Sequence, residues 1–239
     1  MSIRSTMMMA LLLLGLAPGS ASAAGSCKPA PGADLRGCDF AKAMLENADL
    51  RRARLDGAKF GEANLKWANL TGASLKGVDF KGADLFHTIF DEADLTGSDL
   101  SDANLFGANL IGTVLVKTRF RGAFLKDVLM ERADLSGADL AGVYMFRAVI
   151  EDAVLVGTDL SGADMTGAAG ERADFSDAKL VKTRLSGASI RFARFVRADL
   201  DGADFNKTDM QNTVFQAARN VPPGVVAALG AFFGAEERR

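Results

Sequence analysis

The 239-residue chain is poor in the residues on which most active sites rely. It has one histidine, one tryptophan, one tyrosine, five prolines and two cysteines. Histidine-dependent catalysis would have a single candidate, His87. Two cysteines and one histidine fall short of the four ligands of a zinc site built from those residues alone. No H-E-x-x-H, phosphate-binding loop, nucleophile elbow or dinucleotide fingerprint occurs. An excess of either charge is missing too, with 28 Lys and Arg against 30 Asp and Glu. That balance argues against a dedicated nucleic-acid binder and against a strongly acidic mimic of one. A composition of 49% hydrophobic and 24% charged residues excludes a disordered chain. The expectation is a protein without catalytic residues, metal or cofactor.

The apolar run at residues 7–16 (MMMALLLLGL) is ten residues long. Spanning a hydrocarbon core takes ~20. Arg4 precedes the run and Ala21-Ser22-Ala23, an A-x-A cleavage site, follows it. Together they read as a secretory signal peptide over residues 1–23, with a mature chain from Ala24. The expected location is the periplasm or another extracytoplasmic compartment, with no membrane insertion after cleavage. Such a compartment permits a disulfide.

What the chain has in abundance is a repeat. From Leu35 to Phe215 every fifth residue is Leu, Phe, Met or Ile, with the single exception of Gly170. Two residues before each of these 37 centres lies Ala, Thr, Val, Ser or Cys. Five residues rotate an α-helix by about 500°, so successive centres would drift round the axis and form no stripe. In a strand five is odd, and the centres would alternate faces. Each unit must therefore contain its own change of direction. Glycine is common two residues after the centre, as at Gly37, Gly57 and Gly72, where a turn can demand φ > 0.

The units ADLSG, ANLTG, ADLFH and ADMTG resemble the pentapeptide-repeat family, whose motif is A-(D/N)-L-x-x. The resemblance implies an all-β solenoid: a right-handed quadrilateral parallel β-helix with four units per coil and about nine coils. The chain then divides into a leader at residues 24–33, the β-helix at 34–219, and a C-terminal helix and tail at 220–239. Val225, Val226, Leu229, Phe232 and Phe233 fall on the apolar side of that helix. It either caps the last coil or dimerises, as C-terminal segments of the quinolone-resistance members do. Cys27 lies in the leader and Cys38 at an inward corner of the first coil. They either form a bridge that staples the leader down or remain two thiols, one of them buried.

With four units per coil, residues twenty apart stack. The residue just before a centre points outward and is most often Asp or Asn. Phe86, Phe106, Phe124, Tyr144 and Phe146 are outward residues that break the polar habit on the face beginning with Leu45. Ile89, Ile111, Leu129 and Val149 do so on the next face. An apolar belt this large on the middle coils reads as a surface for a protein partner or for self-association. The competing reading is ring stacking that stiffens the rod. Trp67 and His87, also twenty apart, are candidate neighbours for a ligand edge. Residues 82–116 hold six acids and no Lys or Arg, and residues 178–198 hold six bases and no acid. These bands are either docking zones or an ordinary solvated surface.

The functional expectation is an exported, non-enzymatic scaffold that acts through protein contacts, without nucleic acid. The family also implies an alternative, a DNA-mimicking protector of topoisomerase like the quinolone-resistance members. A secreted ligand binder using Trp67 and His87 is the third. Gly170 poses a separate question, because its stacked neighbours are Ile150 and Ile190. Its missing side chain leaves a void, the expectation favoured by the unbroken frame, or a collapsed coil.

Overall fold

The computed structural model describes residues 27–227. The signal sequence falls outside them, as do Leu229, Phe232 and Phe233. The chain winds as a solenoid whose register is twenty residues. Parallel bridges join Asp34 to Arg54, Asp39 to Lys59, and so on in steps of five to Asp199 and Arg219. Four five-residue units therefore make one coil, with one bridge residue per unit rather than a multi-residue strand.

A single unit shows why five residues suffice. The N–H of Asp99 donates to Val78 of the coil before (2.9 Å), and those of Leu100 and Asp102 donate to Arg119 and Arg121 of the coil after (2.7 and 2.9 Å). The Ala103 N–H closes a turn onto the Leu100 carbonyl (3.2 Å). One donor remains, the N–H of Ser101, and the Asp99 carboxylate takes it at 3.0 Å. All five N–H groups are satisfied, as buried or half-buried backbone requires. The Asp or Asn before the centre is thus a backbone cap. The same contact recurs, for example, at Asp39, Asn69, Asp134 and Asp174.

The second turn residue has positive φ throughout, and glycine fills many of these places. This is the conformation that a type II turn demands there. The first such turn is Ala30-Pro31-Gly32-Ala33, with the Ala33 N–H on the Ala30 carbonyl at 3.2 Å. Proline and glycine occupy the two places where that turn type favours them. The turn pattern thus begins one unit earlier than the leader boundary at residue 33 implies. Gly32 also donates to the Arg51 carbonyl (2.8 Å), and Cys27 is joined to Cys38 across a Cα–Cα distance of 5.8 Å.

The centres fill the axis. Leu, Phe, Met and Ile centres from Leu50 to Leu200 are buried, while Leu45, Met210 and Phe215 at the ends are half-covered. Phe40, Phe60 and Phe80 stack at 5.0 and 5.1 Å, close to the ~4.8 Å separation of hydrogen-bonded neighbouring strands. Corner threonines add a bond that their size alone does not reveal. The hydroxyls of Thr88, Thr113, Thr118 and Thr183 donate to centre carbonyls 23 residues earlier, at 2.8–3.0 Å. At the C-terminal end, residues 223–227 form a short helical turn. Val225 is buried under it, whereas Val226 points outward, contrary to its assignment to the packed side.

Gly170 is neither a wide void nor a kink. Its φ is not left-handed, its N–H reaches Ser189 at 2.7 Å, and the next turn closes on it at 3.2 Å. A Cβ there would meet Ile150 Cδ1 and Cγ1 at 3.4 Å and Ile190 Cγ2 at 3.6 Å. The two isoleucines have taken up the space, and the site admits a methyl group and little more. Gly170→Ala should stabilise by about 0.4–1 kcal/mol through the lost freedom of the unfolded chain. Gly170→Ile should destabilise by ~1–3 kcal/mol through overpacking. Denaturant melts of the two variants check the pair, and a gain from isoleucine would show that a void exists after all.

The two kinds of position in one unit should respond differently. Leu105→Asp places an unpaired carboxylate in the axis and should cost several kcal/mol or prevent folding. Asp79→Ala removes the cap on the Lys81 N–H (2.9 Å) and should cost ~1 kcal/mol. Equal midpoints for these two variants in chemical denaturation would contradict the inward and outward assignment.

Candidate functional site: an apolar belt on the middle coils

The outward aromatic residues form one continuous stack. Phe86 and Phe106 lie parallel at 5.4 Å, Phe106 and Phe124 at 6.2 Å, Phe124 and Tyr144 at 5.3 Å, and Tyr144 and Phe146 at 6.1 Å. Phe86 with Phe106 and Phe124 with Tyr144 stack between neighbouring coils, whereas Tyr144 and Phe146 are parallel neighbours within one coil. Lys126 stands between Phe106 and Phe146, its Nζ 5.5 and 6.0 Å from their centroids. Phe124 and Tyr144 are exposed, at 39% and 36%. Phe86, Phe106 and Phe146 are half-buried, as are Ile89, Ile111, Leu129 and Val149 on the adjoining face.

The belt gives up backbone capping. Ile89, Phe124, Leu129, Tyr144 and Val149 occupy the place where Asp or Asn would accept the N–H two residues on. The N–H groups of Asp91, Lys126, Glu131, Phe146 and Glu151 accordingly have no protein acceptor among the described residues. Elsewhere on the middle coils, apolar residues at this place are scattered, as with Val114 and Val154 two coils apart on the Leu35 face. Sequence reading found the belt but missed this cost, because it requires knowing what the usual Asp does.

Trp67 and His87 both pack on a third ring, that of Phe86. Trp67 meets the edge of Phe86 at 5.5 Å, and His87 meets the same ring at 4.3 Å. The His87 imidazole lies over Gly107, where a Cβ would stand 2.5 Å from its Cε1. These contacts use the ring as packing rather than leaving a Trp–His slot open. A cleft of about 460 Å³ lies far along the chain, lined by Phe205, Met210, Pro222 and Val225 among others. Among the described residues no group of three His, Cys, Asp or Glu side chains is placed to hold a metal ion. No described helix is long and apolar enough to cross a membrane.

The charge bands fare differently. The basic stretch is mostly neutralised by the coils on either side of it. Lys179 faces Asp159 (3.9 Å), Arg184 faces Asp164 (2.7 Å), and Arg191 faces Asp209 (3.9 Å). Arg194 faces Asp174 (3.5 Å), and Arg197 faces Asp177 (2.5 Å). A free basic docking zone is therefore not what this stretch forms. In the acidic stretch Asp84, Asp94 and Asp99 pair with Lys66, Lys76 and Arg119. Asp91, Glu92 and Asp102 make no ion pair among the described residues.

Many caps and pairs lower carboxyl pKa values. Hydrogen bonds from the Arg36 side chain hold Asp34 down at about 2, and Arg197 and Arg172 act likewise on Asp177 and Asp152. Burial alone would raise Asp94, but bonds from Thr96 and Lys76 outweigh it and keep it low. Asp91 is the reverse case. Burial pushes it up against the Ile111 N–H, and the nearby carboxylates of Glu92 and Glu131 add to the rise. Groups lowered on folding stabilise the native state above their unfolded pKa, and that stability is lost as pH falls through the folded value. The melting temperature should therefore hold down to about pH 4 and drop as pH falls toward 2, as followed by circular dichroism. A flat profile to pH 2 would mean that these carboxylates are not held by the fold.

With the geometry in place, comparison with known proteins is direct. The profile of pentapeptide repeats matches in eight copies, over residues 32–66, 63–102, 103–142, 129–167, 171–206 and 193–219. The chain belongs to the pentapeptide-repeat family, and its fold is a right-handed quadrilateral β-helix. Among solved structures it resembles HetL, a pentapeptide-repeat protein involved in regulating heterocyst differentiation in the cyanobacterium Nostoc. The two share 33% identity over 79% of this chain and 83% of that one, with a TM-score of 0.70. Rfr23 from the cyanobacterium Cyanothece is 29% identical over 38% of this chain and 61% of its own, with a TM-score of 0.36. The plasmid-mediated fluoroquinolone-resistance protein QnrB1 is 19% identical over 84% of this chain and 97% of its own, with a TM-score of 0.47. No curated protein matches the sequence. Proteins of this family are in general non-enzymatic scaffolds.

Proposed function

We propose that this protein is an exported, non-enzymatic rod of about nine coils, closed by its C-terminal segment, whose middle coils dock another protein. The supporting observation is the belt itself. Four neighbouring outward positions, Phe124, Leu129, Tyr144 and Val149, carry aliphatic or aromatic side chains where Asp or Asn would cap the backbone, and Ile89 does so two coils before Leu129, beyond the capping Asn109. Stacking steadies the rod, but Phe124 and Tyr144 remain exposed, and a partner that covers them would bury that apolar area. Interfaces favour such aromatic surface. Export rests on Arg4, the apolar run at 7–16 and the A-x-A site, and the Cys27–Cys38 bridge suits an oxidising compartment.

The test compares the wild type with a Phe124→Ser/Tyr144→Ser double variant, each crosslinked in the producing cell and recovered from the extracytoplasmic fraction. The wild type should begin at Ala24 and carry a partner. The variant should keep its circular dichroism spectrum and lose that partner. Equal partner recovery would remove the belt from the contact, and an intact Met1 in exported material would remove the signal peptide.

A further inference from the structure

Resting on the reading of the belt as a docking surface, the face beside the aromatic stack says what chemistry the partner brings. On the Leu50 face, Ile89, Leu129 and Val149 run along the rod, and a row of acids runs next to them. Between residues 89 and 172 this face carries Asp91, Glu92, Glu131, Glu151, Asp152 and Glu171, opposed by Arg132 and Arg172. Glu131, Glu151 and Glu171 occupy three consecutive coils, so like charges stack at about the coil spacing of ~4.8 Å. Adjacent like charges disfavour each other and are not a stabilising device.

On the other faces of the middle coils several acids are paired across coils, while on this face most are not. Arg119 meets Asp99 and Arg121 meets Asp139 on the Phe40 face, at 2.9 and 2.5 Å. Arg194 meets Asp174 on the Leu35 face. On the Leu50 face Arg172 is shared by Glu151 and Asp152, at 3.6 and 2.6 Å. Asp91, Glu92 and Glu131 have no ion pair among the described residues. Glu131 Oε2 and Glu171 Oε2 are moreover buried atoms with no hydrogen-bond donor. Glu171 keeps one bond, from the Ser189 hydroxyl, but the charges of Asp91, Glu92 and Glu131 stand unneutralised beside aliphatic surface, and a cation from outside the chain would offset them.

We propose that the belt binds a cationic, apolar-bearing segment of a partner protein, with Lys or Arg on the Asp91–Glu171 row and apolar side chains on Leu129, Val149, Phe124 and Tyr144. The longest run of bases in this chain, at 178–198, is a poor complement from a second copy, because five of its six side chains already face Asp159, Asp164, Asp174, Asp177 and Asp209. A nucleic acid would meet the same carboxylates with repulsion.

Trp67, the only tryptophan, abuts the end of the aromatic stack and is 47% exposed, which makes it a built-in reporter. The experiment titrates the protein with three synthetic peptides, following Trp67 emission and confirming by calorimetry. One contains Lys and Leu, one has every Lys replaced by Gln, and one has every Leu replaced by Ser. The Lys/Leu peptide should bind at least tenfold more tightly than either analogue, and less so as salt rises. Glu131→Gln/Glu151→Gln should weaken it at least tenfold with an unchanged circular dichroism spectrum, while Asp201→Asn on the Phe40 face should leave it unaltered. Equal binding of the Gln analogue, or no effect of the glutamate variant, overturns the cationic chemistry. If Phe124→Ser/Tyr144→Ser still weakens binding in that case, the docking surface survives without it; if neither variant does, both readings fall. A dimer in sedimentation analysis that the aromatic variant dissolves would make a second copy the occupant and overturn the proposal.

Discussion

The five-residue unit has five backbone donors and must place all of them. Two ladder bonds reach the next coil, one reaches the previous coil, and one closes the turn. The fifth is left to a side chain, and that remainder fixes the commonest residue of the repeat. Asp99 before Leu100 is an acceptor first and a charge second. The acidic character of a solenoid of this kind is therefore partly a by-product of backbone satisfaction. It follows that the informative surface positions are those where the cap is absent or where a carboxylate sits outside the capping place, as Glu131 does.

Much of the architecture was legible in the sequence because a period of five fits no regular helix or strand. The frame at Leu35 to Phe215 followed from counting alone, and the twenty-residue stacking and the pairing of Phe124 with Tyr144 followed once the family resemblance supplied four units per coil. Other features were not legible, for physical reasons. The Thr88 hydroxyl bond needs a carbonyl 23 residues away to be brought alongside, and the residue's size suggests only a small corner filler. The basic stretch at 178–198 looked free because its carboxylate partners lie about one coil away in sequence. That Trp67 and His87 would both pack on Phe86 could not be foreseen from spacing, since it depends on where the side chains point. At Gly170 the frame correctly promised an unbroken coil, but not that Ile150 and Ile190 would close the gap.

The belt and the row of carboxylates share a logic. Both depart from what the coil needs for its own stability, and they do so on adjoining faces of the same middle coils. Near the C-terminal end the capping place is also given up, at Lys179, Arg184, Ser189 and Arg194, but to side chains that bond to carboxylates of the coil before, and the two ends carry the closing devices. Stability and contact are thus separated along the axis, as suits a repeat fold whose units interact only with their neighbours.

The two ends are closed by different means. Residues 27–32 are fastened to the first coil covalently, through Cys27 and Cys38, and by the bond from Gly32 to Arg51. The last coil is covered, among the described residues, by Val221 and the short turn that buries Val225. A stack that holds only through nearest neighbours comes apart from an end, one coil at a time. Here one end is riveted and the other is merely leaned upon. Among the described residues, then, the end at Phe215 is the easier one to unravel, and from that side the aromatic middle is reached only after the C-terminal coils have peeled away.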